Sequence, residues 1–419
     1  MKISVPYGRS SISLTLPDDI QINIIEPPAI PPASDPLEVV RAALADPLGG
    51  LSLSDFASAK SVGIAVSDKT RPVPHQHLLP PLLEQLETLG ISRQAITLHV
   101  AVGTHPPMTP KELPAILPEF ILKRYAVISH DASLSADLIY LRDTSRGTPV
   151  WVNKEFANSD LKIVVGNIEP HQFAGFSGGV KSAAIGLAGT ETITHNHAMM
   201  THPNSLIGTY ETNPARQDIE EIGQKIGIHF ALNAILNQSK QIVHVLAGEP
   251  RAVMQAGIPL SKEVCQIGVH SKYGLMISSP GGHPKDINLY QSQKGLAHAA
   301  LVTKPGGTVI LVAACPEGTG SKHYEEWIRG KASNEEVIQW FTEEKFRIGP
   351  HKAYQIARDA SQVRLQFYSE MNTDFSKDLL LNPIKDLQGA VSLAIAELEP
   401  GERVGFLPHA SSTIPYVMN

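Results

Sequence analysis

Short apolar runs alternate with amphipathic stretches along most of the chain. Residues 61–66, 96–102 and 161–165 form apolar runs rich in Val and Ile, which predicts buried strands. Between the first two runs, leucines recur at helical spacing and predict an amphipathic helix that begins near Pro72. Because strands that alternate with helices form mainly parallel sheets, this pattern predicts an α/β fold.

The C-terminal part of the chain repeats the pattern. Its apolar runs predict strands at residues 274–278, 308–314, 363–367 and 403–407. We therefore expect two α/β domains with mainly parallel sheets and an active-site cleft between them. The first domain is expected to span residues 1–265 and to begin with a β-hairpin at residues 3–16. The second is expected to span residues 270–419, and its residues from about 400 onward could pack back on the first domain.

Polar and titratable residues follow three of the predicted strands. They are, in chain order, Asp68, Thr70, Arg71, His105 and His171. Open α/β sheets bind ligands at the carboxyl ends of their strands, so we expect these side chains to share one site. Arg71 could clamp a carboxylate or a phosphate with two parallel hydrogen bonds, although a surface arginine on a tight turn would give the same sequence.

The stretch from residue 169 to residue 197 carries most of the candidate chemistry. It holds His171, His195 and His197, a glycine-rich turn, and Lys181. Glycines in such a turn let backbone N–H groups approach an anion closely. Lys181 could neutralise a phosphate or, if desolvated, act as a nucleophile. If His195 and His197 lie on a helix, they face apart and cannot both bind one metal ion.

Three interpretations of this stretch compete. Residues 175–179 (GFSGG) fit the G-x-S-x-G motif of serine hydrolases, with Ser177 as the nucleophile, but a loop separates this serine from the preceding strand. A phosphate-binding loop would need Gly directly before Lys181, and this interpretation fails because Val180 stands there. The structural alternative is a glycine-rich turn beside core histidines, which the clustering of three histidines and a lysine disfavours.

Composition and charge exclude several other classes of protein. The 419 residues carry a formal net charge of −6, and no basic run stands out, so we expect no nucleic-acid partner. Two cysteines in so long a chain argue against a disulfide framework. No secretory signal pattern begins the sequence, and no apolar run approaches the length of a membrane span. We therefore expect a cytoplasmic protein without a membrane partner.

Five blocks of the sequence resemble, in order and approximate spacing, motifs of the lactate racemase family. The resemblance covers most of the chain from about residue 60 to residue 300. The matching residues are 68–72 (DKTRP), 103–105 (GTH), 170–171 (PH) with 174–181 (AGFSGGVK), 196–197 (NH), and Asp286 with Tyr290, Gln291 and Lys294. Asp286 is also expected to cap the helix that carries the last three residues.

The resemblance implies a nickel cofactor. Family members use a nickel-pincer nucleotide, the pyridinium-3-thioamide-5-thiocarboxylic acid mononucleotide, whose sulfur-containing arms hold Ni(II) in a plane. Lys181 matches the lysine that tethers the cofactor, and His197 matches the protein ligand of nickel, whereas His195 is interpreted as structural. The other residues expected on the cofactor side are Asp68, Thr70, Ser177 and Gly178.

The resemblance also implies an isomerase, namely a racemase or epimerase of a lactate-like 2-hydroxy acid. His105 and His171 match the pair that act as acid and base on the two faces of the substrate. Hydride is expected to pass reversibly between the substrate Cα and the cofactor. The residues expected to bind the substrate are Arg71, Tyr290, Gln291 and Lys294.

Two alternatives stay open on the sequence alone: a serine hydrolase that uses Ser177, and a protein that binds the nickel nucleotide without turnover. A carrier would not need both His105 and His171. Family members commonly carry a basic residue directly after the histidine of the second block, and Pro106 stands here, which leaves lactate itself open as the substrate. The expected partners are the 2-hydroxy acid, cofactor-synthesis proteins in transient contact and, as an open option, further copies of the chain in a homo-oligomer.

Overall fold

The computed structural model describes residues 1–344, 346–347 and 349–418. The chain folds as two compact units. The central unit spans Ala29–Val264, and the terminal unit combines Met1–Pro28 with the chain from Cys265 onward. The chain therefore divides close to the expected boundary at residue 265, but its first 28 residues belong with the C-terminal part.

Short strands supply the frameworks of both units. In chain order they are β1 (Lys2–Tyr7), β2 (Ser10–Thr15), β3 (Ile22–Ile24), β4 (Val62–Ser67), β5 (Ile96–Ala101), β6 (Ala126–Ser129), β7 (Leu138–Asp143), β8 (Pro149–Asn153), β9 (Leu161–Asn167), β10 (Pro170–His171), β11 (Gly175–Phe176), β12 (Phe230–Leu236), β13 (Ile242–Gly248), β14 (Gln266–Val269), β15 (Tyr273–Ser278), β16 (Thr303–Val312), β17 (Arg364–Tyr368), β18 (Val404–Leu407) and β19 (Ile414–Val417).

Helices alternate with these strands, and none that the structure describes is long and apolar enough to cross a membrane. In chain order they are α1 (Pro36–Ala45), α2 (His75–Thr88), α3 (Glu119–Arg124), α4 (Lys154–Asn158), α5 (Lys181–Ala184), α6 (Thr190–Ala198), α7 (Pro214–Ile226), α8 (Pro250–Cys265), α9 (Leu289–Leu301), α10 (Lys322–Ile328), α11 (Asn334–Glu343), α12 (Pro350–Ala360), α13 (Thr373–Asp378) and α14 (Leu387–Ala396).

The central unit is built on a six-stranded sheet in the order β13-β12-β9-β4-β5-β6. The strands from β12 to β6 are parallel, and β13 pairs antiparallel with β12. This arrangement confirms the predicted mainly parallel sheet. Ile64, Leu98 and Ile163 come from three neighbouring strands and are fully buried, as expected for strands that are covered on both faces.

The strand order reverses beside β4. From β4 the chain steps outward through β5 to β6, and it then returns to place β9 on the opposite side of β4. The gap between the carboxyl ends of β4 and β9 is therefore a topological switch point, where open α/β sheets bind ligands. The polar residues that the sequence analysis identified follow β4, β5 and β9.

Helix α2 begins later than the sequence predicted. It starts at His75 rather than near Pro72. A residue that precedes proline is disfavoured in helical conformation, and both Arg71 and Val73 precede prolines. The segment before the helix therefore stays in a turn, in which the Arg71 N–H donates to the Asp68 carbonyl. This turn, and not a helix, carries the polar residues after β4.

The terminal unit contains a parallel five-stranded sheet in the order β17-β16-β15-β18-β3. Strand β3 lies at its edge and pairs with β18, so that Ile22 lies opposite Val404. This pairing explains why residues 1–28 lie in the terminal unit and not in the domain to which the sequence analysis assigned them. Strands β1 and β2 form the predicted antiparallel hairpin.

Two further details of the terminal unit differ from expectation or go beyond it. Asn288, and not Asp286, caps α9, because its side chain accepts the N–H of Gln291. The Asp286 carboxylate instead accepts the N–H groups of Gly8 and Ala314, at 2.7 and 3.1 Å. Strand β19 pairs with β14 within this unit. The expected packing of the last residues on the first domain, and the expected cleft between the domains, stay predictions.

Candidate active site

A pocket opens in the central unit at the carboxyl ends of β4, β5 and β9. It therefore occupies the switch point of the sheet. All the candidate site residues that the sequence analysis assigned to this part of the chain line its walls. They are Asp68, Thr70, Arg71, His105, His171, Ser177, Gly178, Lys181 and His197.

Asp68 and His105 form a hydrogen-bonded pair in this pocket. The Nδ1 atom of His105 lies 2.8 Å from Asp68 Oδ2, and Thr70 Oγ1 donates to Asp68 Oδ1 at 2.7 Å. Burial raises the pKa of Asp68, but hydrogen bonds from His105 and Thr70 outweigh it and hold the pKa below its usual range. Asp68 is therefore ionised and binds the Nδ1–H of His105, which leaves Nε2 as the nitrogen that can exchange a proton.

His171 reaches the pocket from the short antiparallel pair β10–β11, where it lies opposite Gly175. Its Nδ1 accepts the backbone N–H of Ala174 at 3.3 Å, so in the neutral ring Nε2 carries the hydrogen and can donate it to a hydrogen bond. The ring of Phe173 stands edge-on to His171, with 4.9 Å between the ring centres, and also to His197 at 4.9 Å. One buried aromatic side chain thus fixes the spacing of two pocket histidines.

His197 lies on α6, and its environment suits a metal ligand. Its Nδ1 lies 3.2 Å from Asn196 Oδ1, so a metal would bind this ring at Nε2. Burial, with Lys181 and Arg71 nearby, lowers the pKa of His197 to about 3, so the ring is neutral, the form that binds metals. His195 is on the same helix but exposed, with its Nδ1 2.9 Å from the Thr148 hydroxyl.

Lys181 begins α5 directly after the glycine-rich turn. Burial, with Arg71 and Arg216 nearby, lowers the pKa of Lys181 to about 7. An appreciable fraction of the amine is therefore uncharged near neutral pH, which a nucleophilic lysine requires.

Two positions of the turn before Lys181 have room for glycine only. Gly178 and Gly179 have φ angles of 84° and 54°. A Cβ on Gly178 would lie 2.8 Å from Ile168, and one on Gly179 would lie 2.7 Å from Met254. These glycines let the backbone of the turn pack closely against its neighbours, and the Gly179 N–H donates to Asn233 Oδ1 at 2.7 Å.

Arg216 holds this turn from behind, and the sequence analysis missed it. The side chain is fully buried, and it donates to the carbonyls of Phe176 and Gly178 at 2.8 and 3.1 Å. Its charge is paired with Glu220, one helical turn further along α7. An Arg and a Glu four residues apart are typical of an exposed helix face, so no local sequence signal distinguished this buried pair.

Asn167, the last residue of β9, was also missed. Its Nδ2 donates to the Pro72 carbonyl at 3.0 Å, and its Oδ1 is buried in the pocket wall without a hydrogen-bond partner in the part of the chain that the structure describes. The strand-end rule that identified His171 could have identified this residue too. A buried, unpaired acceptor in a pocket wall indicates a place for a donor on the ligand.

The three remaining candidates lie in the terminal unit, on α9. The Lys294 ammonium donates to Gln291 Oε1 at 3.3 Å, and the Tyr290 hydroxyl lies 3.5 Å from His351 Nε2. The contact between Gln291 and Lys294 is the one that a spacing of three residues on a helix allows, and the predicted sharing of this face by Tyr290 stays a prediction. Their association with the pocket of the central unit stays a prediction.

Comparison with known proteins identifies relatives over nearly the whole chain. The family models of the lactate racemase N-terminal and C-terminal domains match residues 7–208 and 270–414. The chain is 31% identical to the lactate racemase of Lactiplantibacillus plantarum over 327 aligned residues, and the alignment covers 77% of each chain. It is 29% identical to the lactate racemase of Thermoanaerobacterium thermosaccharolyticum over 421 aligned positions, and the alignment covers 98% of each chain.

Solved structures show the same relationship. The structure of the lactate racemase apoprotein from Thermoanaerobacterium thermosaccharolyticum matches all of both chains, with a TM-score of 0.90 and 28% identity. A protein from Thermotoga maritima matches 91% of this chain and 97% of its own, with a TM-score of 0.61 and 18% identity, which shows a similar fold alone.

The fold and these relatives define an isomerase of the racemase class. The chain belongs to the lactate racemase family. This confirms the family resemblance and gives no support to the hydrolase interpretation of Ser177. The positive φ angles of the G-x-S-x-G segment fall on its glycines and not on Ser177, and a helix begins only at Lys181, unlike the strained strand-to-helix turn that exposes a hydrolase serine.

Proposed function

We propose that the protein racemises a short 2-hydroxy acid, with lactate as the first candidate, by means of a tethered nickel-pincer nucleotide. The observation that carries this proposal is the convergence of His105, His171, Lys181 and His197 on one pocket. Relatives of this chain are named lactate racemases. That the protein binds a small-molecule 2-hydroxy acid, nickel and the nucleotide is part of what we propose.

The residues of the pocket fit such a cofactor. Lys181 has the lowered pKa that a covalent tether requires, and His197 presents a neutral imidazole, a suitable ligand for nickel. Gly178 and Gly179 let the turn pack against Ile168 and Met254 and so set where Lys181 begins α5, and Asn167 Oδ1 could accept a hydrogen bond from a ribose hydroxyl. When bound, the nucleotide would supply a centre that accepts hydride from the substrate Cα and returns it.

The substrate carboxylate is assigned to Arg71. Its guanidinium lines the same pocket as His105 and His171, and a planar guanidinium matches a carboxylate through two hydrogen bonds. Anchoring this group would keep the planar keto acid in the pocket while its carbonyl carbon exchanges faces. Lys294, Gln291 and Tyr290 are assigned to the substrate by the family resemblance.

The two pocket histidines are assigned to the hydroxyl proton. His105 accepts it through Nε2, and the Asp68 carboxylate at Nδ1 stabilises the imidazolium that forms. His171 lines the same pocket, and the family resemblance assigns it the second acid and base position; in the neutral ring its Nε2–H can donate to the substrate oxygen. A racemase needs a second position because its two enantiomers present the hydroxyl differently once the carboxylate is fixed.

The test is to produce the full chain together with the cofactor-synthesis proteins and to measure intact mass, nickel content and racemisation. A chiral assay would compare lactate with longer, aromatic and polyhydroxy 2-hydroxy acids. We expect added mass, nearly stoichiometric nickel and racemisation of at least one of these acids. Little deuterium from the solvent should enter Cα, because hydride, unlike a proton, does not exchange with water.

Matched lysine variants make this test specific. Lys181→Arg keeps a long basic side chain but cannot form the tether, so it should carry no added mass and no racemase activity. Lys123→Arg changes an exposed lysine on α3 and should behave as the parent chain. The proposal is wrong if the parent chain gains neither mass nor nickel while a known lactate racemase, produced in parallel, gains both.

A further inference from the structure

A buried hydrogen-bond network adjoins the proposed nickel ligand. At its centre, the Asp218 carboxylate of α7 accepts hydrogen bonds from Thr144 Oγ1 at 2.6 Å, from Thr148 Oγ1 at 2.9 Å and from Asn196 Nδ2 at 2.9 Å. The Oδ1 atom of Asn196 lies 3.2 Å from His197 Nδ1. We call these four residues, Asp218, Asn196, Thr144 and Thr148, the Asp218 network.

The chemistry of the Asp218 network fixes the direction of each hydrogen bond. The Asn196 amide lies against Asp218 and the Ala215 carbonyl, and a backbone carbonyl only accepts hydrogen bonds, so the amide nitrogen must face this side. The same nitrogen donates to the Ala215 carbonyl at 2.9 Å, a second contact that only the amide nitrogen can make. The amide oxygen therefore faces His197, and it can only accept, so the Nδ1 of His197 carries the hydrogen.

Burial makes this arrangement rigid. Asp218, Asn196 and Thr148 are fully buried, and Thr144 is 5% exposed. Water therefore cannot replace a lost partner, and reversing the Asn196 amide would leave its oxygen against two acceptors. The contact also joins α6 to α7, so the orientation of the His197 ring depends on the packing of two helices and not on α6 alone.

We propose that Asp218 and Asn196 are positioning residues that hold His197 in the Nδ1–H tautomer and thereby present Nε2 to the metal. The proposal rests on the proposed function for the identity of the metal, whereas the tautomer is a property of the chain alone. An amide relay of this kind fixes the ring without placing a negative charge directly on it. Partners behind a metal-binding histidine fix its tautomer and orientation in the same way.

His195 provides the matched control. Its Nδ1 contacts the Thr148 hydroxyl at 2.9 Å, so it touches the same network as Asn196. The side chain is exposed, and Thr148 still donates to Asp218 when His195 is absent. Replacing His195 should therefore leave the Asn196 amide, and with it the tautomer of His197, unchanged.

The test is nitrogen NMR of the cofactor-free chain labelled with ¹⁵N-histidine, which distinguishes the protonated from the unprotonated ring nitrogen. His197→Gln would assign the signal by its disappearance. We expect the Nδ1–H tautomer in the parent chain and in His195→Gln. Asn196→Ala and Asp218→Asn should shift His197 toward a mixture of tautomers, with circular dichroism showing that each variant is folded.

A second measurement connects the tautomer to metal binding. Chains produced with the cofactor-synthesis proteins would be dialysed against a chelator, and we expect Asn196→Ala to bind nickel about 10- to 100-fold more weakly than the parent chain. If Asp218→Asn does not fold, Asn196→Ala alone decides the question. An unchanged Nδ1–H tautomer in Asn196→Ala, or unchanged nickel retention despite a changed tautomer, would overturn the inference. Absence of nickel from the parent chain would instead count against the proposed function, and the NMR result would still decide the role of the network.

Discussion

At the scale of single residues, the pairing of Asp68 with His105 determines how a proton can move in the pocket. Asp68 is 4% exposed, and yet its pKa is held below the usual range, because His105 and Thr70 donate to it. The His105 side chain is about half exposed. A buried negative charge thus supports a histidine that can still reach a ligand, which is the arrangement that a general base requires.

Replacing Asp68 with Asn tests this pairing. Asp68→Asn keeps the size of the side chain but removes the charge that stabilises a protonated His105. We expect kcat/KM for racemisation to fall by about 100-fold or more.

A control is available on an exposed turn of the terminal unit. Asp19→Asn removes the same charge from a surface position, and it should reproduce the kcat/KM of the parent chain. An Asp68→Asn variant that also keeps the parent kcat/KM would show that this carboxylate does not support His105 in catalysis.

At the scale of elements, the turn between β11 and α5 shows why the position of Lys181 depends on glycine. Gly178 has a φ of 84°, and a Cβ there would lie 2.8 Å from Ile168 and 3.0 Å from the Asn167 carbonyl. Backbone atoms cannot move aside as a flexible side chain can. Any side chain at position 178 would therefore displace the turn, and with it Lys181.

Gly178→Ala should prevent loading of the cofactor while the chain stays folded. Its matched control is Gly90→Ala, because Gly90 has a φ of 89° but open space around its missing Cβ. In both variants a side chain on a left-handed backbone should lower the free energy of unfolding by about 1–2 kcal/mol. Urea unfolding should show this loss in both. Only Gly178→Ala should lose nickel and added mass. Equal loading of the two variants would show that the close approach at Gly178 does not matter for the cofactor.

Among the elements, some features could be predicted from the sequence and others could not. Strand patterns and the strand-end rule sufficed to bring Asp68, His105 and His171 to one pocket, because these residues depend on local periodicity. The inward-facing Arg216 could not be predicted, since its i, i+4 pairing with Glu220 also suits an exposed face. The pairing of β3 with β18 joins opposite ends of the chain, and local patterns carry no information about such partners.

At the scale of the whole molecule, buried histidines couple stability to pH in both units. His75 and His99 lie in the central unit and His298 in the terminal unit, and all three are nearly or fully buried. Burial lowers the pKa of each from its usual value near 6.5 to about 4. None of the three belongs to the proposed catalytic pocket, so their effect on stability can be measured apart from activity.

The stability of the chain should therefore decline as pH falls from about 6.5 to about 4. In this window the unfolded chain binds protons at these histidines and the folded chain does not, so each contributes a loss of up to about 3 kcal/mol that is absent above pH 6.5. His75→Gln keeps a side-chain donor for the Ile116 carbonyl, which the His75 ring meets at 3.1 Å, but it cannot titrate. Urea unfolding at pH 7.5 and at pH 5 should show a smaller decline for His75→Gln than for the parent chain. His323→Gln, at a side chain that is 82% exposed, should keep the parent decline, and an equal decline in all three chains would mean that burial of His75 is not a source of acid sensitivity.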